Sequence, residues 1–199
     1  MDEKLLPKNF FRKNKLKRIS AAQIAYYTAN AEFTRDIEQA IFDVAKEYLS
    51  DERKASILQE REVIAQLQTA DEVIRLMRKG IDKTNCSALC DRALAMQDAL
   101  IPPMLNRFRT SAQDTYIEAA FHILANMERG YIEQLRAIYP TIRNPYAKSM
   151  ACLAFGVQQQ EDLLPLLLAE YERMKRDYPD ERFEQGPLLA IYILYGKAV

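Results

Sequence analysis

The chain has 199 residues, enough to bury a substantial core as one domain or two small ones, and one continuous body is expected. Hydrophobic residues make up 49% and charged residues 28%, a composition of globular chains that excludes a disordered one. Lys plus Arg and Asp plus Glu number 28 each, so no global field recommends nucleic acid or an anionic membrane, and any such partner must be caught locally.

Only 5 glycines and 8 prolines occur, too few for the turns of an all-β protein, while Ala, Leu, Glu, Gln, Lys and Arg dominate and favour helix. The densest apolar stretches, Leu163 to Ala169 and Pro187 to Tyr195, fall well short of the roughly 18 uncharged residues that cross a bilayer. Three cysteines do not make a disulfide framework, and no charged segment followed by an apolar one reads as a signal peptide. The cytoplasm is the expected compartment.

Residues 1–19 form a basic N-terminal arm, with Lys4, Lys8, Arg12, Lys13, Lys15, Lys17 and Arg18 against Asp2 and Glu3. Phe10, Phe11, Leu16 and Ile19 are interleaved with these cations. That pattern suits an arm gripping phosphates or lying on an acidic membrane surface, or a terminal extension whose apolar residues dock on the first helical hairpin.

From residue 20 a single helical domain is predicted. Ser20 and Gln23 are spaced as a capping box. Ile37, Ile41, Val44 and Tyr48 follow steps of four, three and four, which predicts one stripe facing a core. Ser50 or Asp51 is a cap for a helix carrying Ile57, Ile64 and Leu67. Thr69 and Glu72 repeat the capping-box spacing ahead of Val73, Ile74 and Met77, and Gly80 supplies a left-handed stop. These helices occupy residues 20–80.

Beyond Asn85 the spacing of Pro, Gly, Asn and Asp predicts helices near 86–97, 101–109, 114–127, 130–139, 145–156, 160–177 and 186–196. Short connections make consecutive helices antiparallel hairpins, and hairpins must stack to cover their remaining apolar faces. Internal similarity agrees with this. Asp98 to Leu105 echoes Asp162 to Leu167, each with proline expected in the first turns of a Leu-rich helix. Tyr116, Ala120 and Ile123 align with Tyr146, Met150 and Leu153 at an offset of 30.

The run Leu100 to Asn126 resembles a HEAT repeat, in which an Ile-Pro-x-Leu-Leu helix precedes a short loop, an Asp and a helix with paired alanines, here Asp114, Tyr116, Ala119, Ala120 and Leu124. The resemblance covers residues 86–196. It implies an all-α fold whose antiparallel hairpins stack as a short, irregular HEAT-like α-solenoid. HEAT repeats often carry an Arg just after the position of Tyr116, whereas this chain has Ile117 there and Ala147 in the next unit.

Candidate chemistry is sparse. Cys86 and Cys90 share a helix face, and with Cys152 and His122 they would make four zinc ligands, but no short Cys-x-x-Cys pair occurs. Buried free cysteine behaves as a small hydrophobe, so no metal is expected. His122, the one histidine, lies between Phe121 and Ile123 and reads as structural. Neither a phosphate-binding glycine loop nor Glu-x-x-His occurs. No cofactor is expected and the reading leans away from an enzyme, although an inter-helix pocket leaves little local signature.

The leading expectation is a protein- or peptide-binding scaffold whose second helices line a groove. The loop from Tyr139 to Tyr146 concentrates aromatic and cationic side chains, so Arg136, Tyr139, Arg143 and Tyr146 are the expected partner contacts. Alanine at Tyr139 and Arg143 is expected to weaken capture and spare stability. The alternative is nucleic-acid binding through residues 1–19, since some HEAT-like proteins are DNA glycosylases; the resemblance implies a basic groove and tryptophan for that role, and the chain has no Trp. The apolar final helix caps the stack and leaves room for a homodimer.

Overall fold

The computed structural model describes residues 6–14 and 31–195, and every regular element in them is helical. The expected capping box at Ser20 and Gln23 and the arm residues Lys4, Lys15, Leu16, Lys17, Arg18 and Ile19 lie outside the described residues. The helices are α1 (Phe10–Lys13), α2 (Ala31–Ala45), α3 (Asp51–Gln66), α4 (Ala70–Lys79), α5 (Cys86–Leu94), α6 (Gln97–Phe108), α7 (Asp114–Asn126), α8 (Ile132–Ile138), α9 (Pro145–Val157), α10 (Leu164–Asp177) and α11 (Gln185–Tyr195).

Local chemistry sets several boundaries. The Ser50 hydroxyl accepts from the Arg53 amide at 3.2 Å and starts α3. Thr69 and Glu72 form a reciprocal capping box on α4, which Gly80 ends at φ 83°. Asn144 accepts from the amides of Tyr146 (2.8 Å) and Ala147 (3.2 Å), satisfying first-turn donors of α9, while Pro145 takes the position where its missing N–H costs nothing. One expectation fails here. Helix α6 begins at Gln97, so Pro102 and Pro103 stand in its interior and not in its first turns, leaving the carbonyls of Asp98 and Ala99 without a helical partner.

Alternate helices pack on one another. Helix α5 meets α7, α7 meets α9 and α9 meets α11, while α4 packs on α6 and α6 on α8; α10 packs on α11. Between them lie the fully buried Leu100, Ile101, Met104, Phe108, Tyr116, Ile117, Ile123, Leu124 and Phe155. The Tyr116 hydroxyl donates to the Met104 carbonyl at 3.0 Å, so this core phenol is satisfied. Buried Gln158 donates to the carbonyls of Leu124 (3.1 Å), Ala125 (3.2 Å) and Met127 (2.8 Å), tying the end of α9 to that of α7.

Helices α9 and α11 approach closely. A Cβ on Gly156 would lie 2.5 Å from the Ala190 Cα, and one on Gly186 would lie 2.2 Å from the Ser149 carbonyl oxygen. Glycine is required at both positions by space alone.

Two further expectations are corrected. The apolar stripe of α2 does not face the core: Ile41, Val44 and Tyr48 are 55%, 71% and 85% exposed, while Glu38 and Phe42 are buried. The reason is a cap. Glu38 Oε2 accepts from the Ser87 amide at 3.0 Å and the Ser87 hydroxyl at 2.7 Å, satisfying an otherwise orphaned donor in the first turn of α5. Rolling α2 to bury its stripe would break that cap.

The N-terminal segment docks not on the first hairpin but on the last two helices. Phe10 meets Tyr171 edge-on at 5.8 Å and Phe11 meets Tyr192 at 4.7 Å. Asn14 accepts from the Tyr171 hydroxyl through its side chain (2.8 Å) and from the Tyr192 hydroxyl through its carbonyl (3.1 Å). These contacts cover the apolar side of α1, and Lys8, Arg12 and Lys13 stay exposed.

Candidate binding groove

A groove of about 790 Å³ runs across α5, α7, α9 and α11. Its floor is apolar, made by buried Ala119, Phe121, Leu153 and Leu189 with half-buried Met150. The rim is charged: exposed Lys83 stands at the α5 end, exposed Glu181 and Arg182 in the loop before α11, and Asp114 and Glu118 on α7. No residue of α6, α8 or α10 lines it, so it is not the expected groove of second helices, to which α6, the counterpart of the Ile-Pro-x-Leu-Leu helix, belongs. A smaller cavity of about 480 Å³ lies between α4 and α6, bordered by Asp71, Ile74, Pro103 and Arg107.

Several contacts fix the groove wall. Tyr146 donates through its hydroxyl to Glu118 Oε1 at 3.1 Å, and its ring lies 6.2 Å from that of Phe183, which meets Tyr178 edge-on at 5.5 Å. The Ser149 hydroxyl donates to the Phe183 carbonyl at 2.6 Å, anchoring the loop to α9. Arg182 holds φ 57°, a left-handed value that an arginine adopts at a cost, and such strain concentrates in loops that place a side chain for a purpose.

Two groups with perturbed acidity, Cys86 and His122, line the groove. Burial, with the carboxylates of Glu38, Glu118 and Asp82 nearby, pushes the Cys86 thiol up to about 12. Burial raises Cys90 to about 12 as well. Both thiols stay protonated at neutral pH, which makes them poor nucleophiles and poor metal ligands. Cys152 lies apart from them, its sulfur 3.2 Å from the Tyr139 hydroxyl. Among the described residues no three His, Cys, Asp or Glu side chains are grouped to hold a metal ion.

Burial lowers His122 from an ordinary 6.5 to about 4, so the imidazole is neutral at physiological pH. Because its protonation opposes folding, the stability it contributes is present above pH 6.5 and lost as pH falls towards 4. As the one histidine of the chain it gives a single set of imidazole NMR signals. These are expected to hold their neutral-form shifts from pH 8 to about 5; a midpoint near 6.5 in the folded protein would contradict a desolvated imidazole on the groove wall.

The structure scatters the four expected partner contacts. Tyr146 lines the groove. Tyr139 is buried, 4% exposed, with its ring 5.6 Å from that of Phe155. Arg136 pairs with Glu133 at 3.1 Å and with Asp162, linking α8 to the turn ahead of α10. Arg143 is exposed, and its amide donates to the Arg109 carbonyl at 3.3 Å. Lys83, Glu118, Arg182 and Phe183, none of them among the contacts expected from sequence, line the groove with Tyr146 instead. Only tertiary packing joins them, although the positions that allow the walls to meet, Ser149 and Gly186, are small. Comparison of the chain with protein-family models, curated proteins and solved structures finds no match to any of them.

Proposed function

We propose that the chain is a non-catalytic binding module built as a short, irregular HEAT-like α-solenoid, and that the groove across α7, α9 and α11 takes a peptide or a segment of a partner protein. The architectural part is supported by the succession α5, α7, α9, α11 beside α4, α6, α8, and by the 30-residue offset that aligns Tyr116, Ala120 and Ile123 of α7 with Tyr146, Met150 and Leu153 of α9. The binding part rests on one observation: successive helices share an apolar floor of ligand-accommodating size, about 790 Å³, under a rim of both charges. Of the four contacts expected from sequence, this reading keeps Tyr146 and adds Lys83, Arg182 and Phe183.

Among the described residues no helix is long and apolar enough to cross a membrane. Three cysteines without a disulfide fit a reducing compartment such as the cytoplasm. The rival, nucleic-acid binding through residues 1–19, would use Phe10 and Phe11 together with the cations, and those two rings are engaged by α10 and α11.

A displayed peptide library selected on the wild-type protein tests the proposal. Enriched peptides are expected to lose roughly tenfold or more in affinity, by calorimetric titration, to the double variant Arg182→Glu and Phe183→Ala. No enrichment over an unrelated helical protein, or equal affinity for the double variant, would remove the groove as the site.

A further inference from the structure

Helix α2 presents outward what a helix ordinarily buries. Ile37, Ile41 and Val44, followed by Tyr48 in the turn that continues α2, repeat at four, three and four residues, the spacing of a coiled-coil seam. Ile41, Val44 and Tyr48 are 55%, 71% and 85% exposed. Scattered single apolar residues on a surface need no explanation, but a stripe in helical register does.

The edges of this stripe differ. At about 100° per residue, the position before each stripe residue lies along one flank, and those positions hold Asp36, Ala40, Asp43 and Glu47. The opposite flank is Glu38, Phe42 and Ala45, which turns into the body of the protein. The seam therefore has one open edge, and that edge is acidic.

Among the described residues the neighbouring cations neutralise only Asp43 of this edge, which pairs with Lys46 at 3.2 Å. Arg35 pairs with Asp91, Lys46 with Asp43, Arg53 with Asp82 and Lys54 with Asp51. Arg61 is held by Gln39, Asn85 and the Thr84 carbonyl. Asp36 and Glu47 on the stripe's edge, and Glu62 on α3, make no ion pair among the described residues. Over residues 31–66 nine acidic residues stand against five basic ones.

We infer that the outer face of α2 is a docking site for an amphipathic helix of a partner protein that carries lysine or arginine along one edge. Its apolar positions cover Ile37, Ile41, Val44 and Tyr48, and its cations lie along Asp36 and Glu47. A second copy of this chain is the poorer occupant, because it brings no cationic edge: antiparallel pairing sets acidic edge against acidic edge, and parallel pairing sets it against the flank of Glu38 and Phe42. This surface is separate from the groove and stands independently of it.

The test uses two synthetic amphipathic helices with the same leucine seam, one edged with lysine and the other with glutamate, titrated against the full chain by fluorescence anisotropy. The lysine peptide is expected to bind the wild type roughly tenfold more tightly or better than the glutamate peptide. Val44→Asp abolishes that binding at an unchanged melting temperature, since the side chain is exposed. The double variant Asp36→Lys and Glu47→Lys reverses the preference, a result that nonspecific cationic adhesion does not give. Equal binding of both peptides, or binding indifferent to Val44→Asp, overturns the proposal. Sedimentation showing a dimer that Val44→Asp dissociates would also overturn it, in favour of a second copy.

Discussion

Gly156→Ala is expected to destabilise the protein by about 3 kcal/mol and to lower its melting temperature by roughly 10 °C, readable by calorimetry. Intrinsic helix propensity argues the opposite sign, because alanine is better than glycine inside a helix by about 1 kcal/mol. Packing decides. The new Cβ would meet the Cα of Ala190 at 2.5 Å and its Cβ at 2.7 Å, so backbone and not a yielding side-chain tip stands in the way, and α9 and α11 must separate. For the same reason Ala190→Gly should rescue only in part, since it removes the second contact and leaves the first. Gly130→Ala is the control: nothing lies within 4 Å of a Cβ there, and its effect should stay within about 0.5 kcal/mol. A Gly156→Ala protein as stable as wild type would mean that the helices do not approach as described. The groove is coupled to this contact, because Ser149, Met150 and Leu153 of α9 face Gly186 and Leu189 of α11 across it.

What the sequence revealed and what it hid divide along the range of the interactions. Ser50, the Thr69 and Glu72 pair, Gly80 and the Asn144-Pro145 start act within one turn, so their roles can be read from spacing. The outward stripe of α2 was not legible, although its residues are all apolar, because the roll of that helix is set by Glu38 reaching a helix 49 residues away. Periodicity states that a stripe exists; it does not state which stripe wins the core when a buried cap competes. The groove was hidden for a similar reason. Lys83, Glu118, Tyr146 and Arg182 have no common motif and share one groove only because α5, α7, α9 and α11 pack in succession. The composition of the loop from Tyr139 to Tyr146 marks Tyr146 as a contact, and the same criterion marks Tyr139, which faces inward.

Tyr139→Ala is expected to cost about 3–5 kcal/mol, the range for emptying a buried aromatic site. Its side chain is 4% exposed, packs 5.6 Å from Phe155 and has the Lys148 ammonium 5.3 Å from its ring centre. Alanine therefore leaves a cavity and forfeits a cation–π contact, whereas a surface contact residue would leave stability untouched. Tyr139→Phe separates the parts: it keeps the ring and removes only the hydroxyl at the Cys152 sulfur, a loss of about 1 kcal/mol. Arg143→Ala, at an exposed position, should stay within about 0.5 kcal/mol of wild type. Denaturant unfolding of the three variants orders them as alanine at 139, phenylalanine at 139, alanine at 143, from largest loss to smallest. If Tyr139→Ala were as stable as Arg143→Ala, the side chain would belong on the surface, and its place as a partner contact would return. With the expected order, loss of partner capture by Tyr139→Ala reports unfolding of the α8 to α9 region, and variants of the groove's own lining, such as Lys83, Arg182 and Phe183, bear on recognition there.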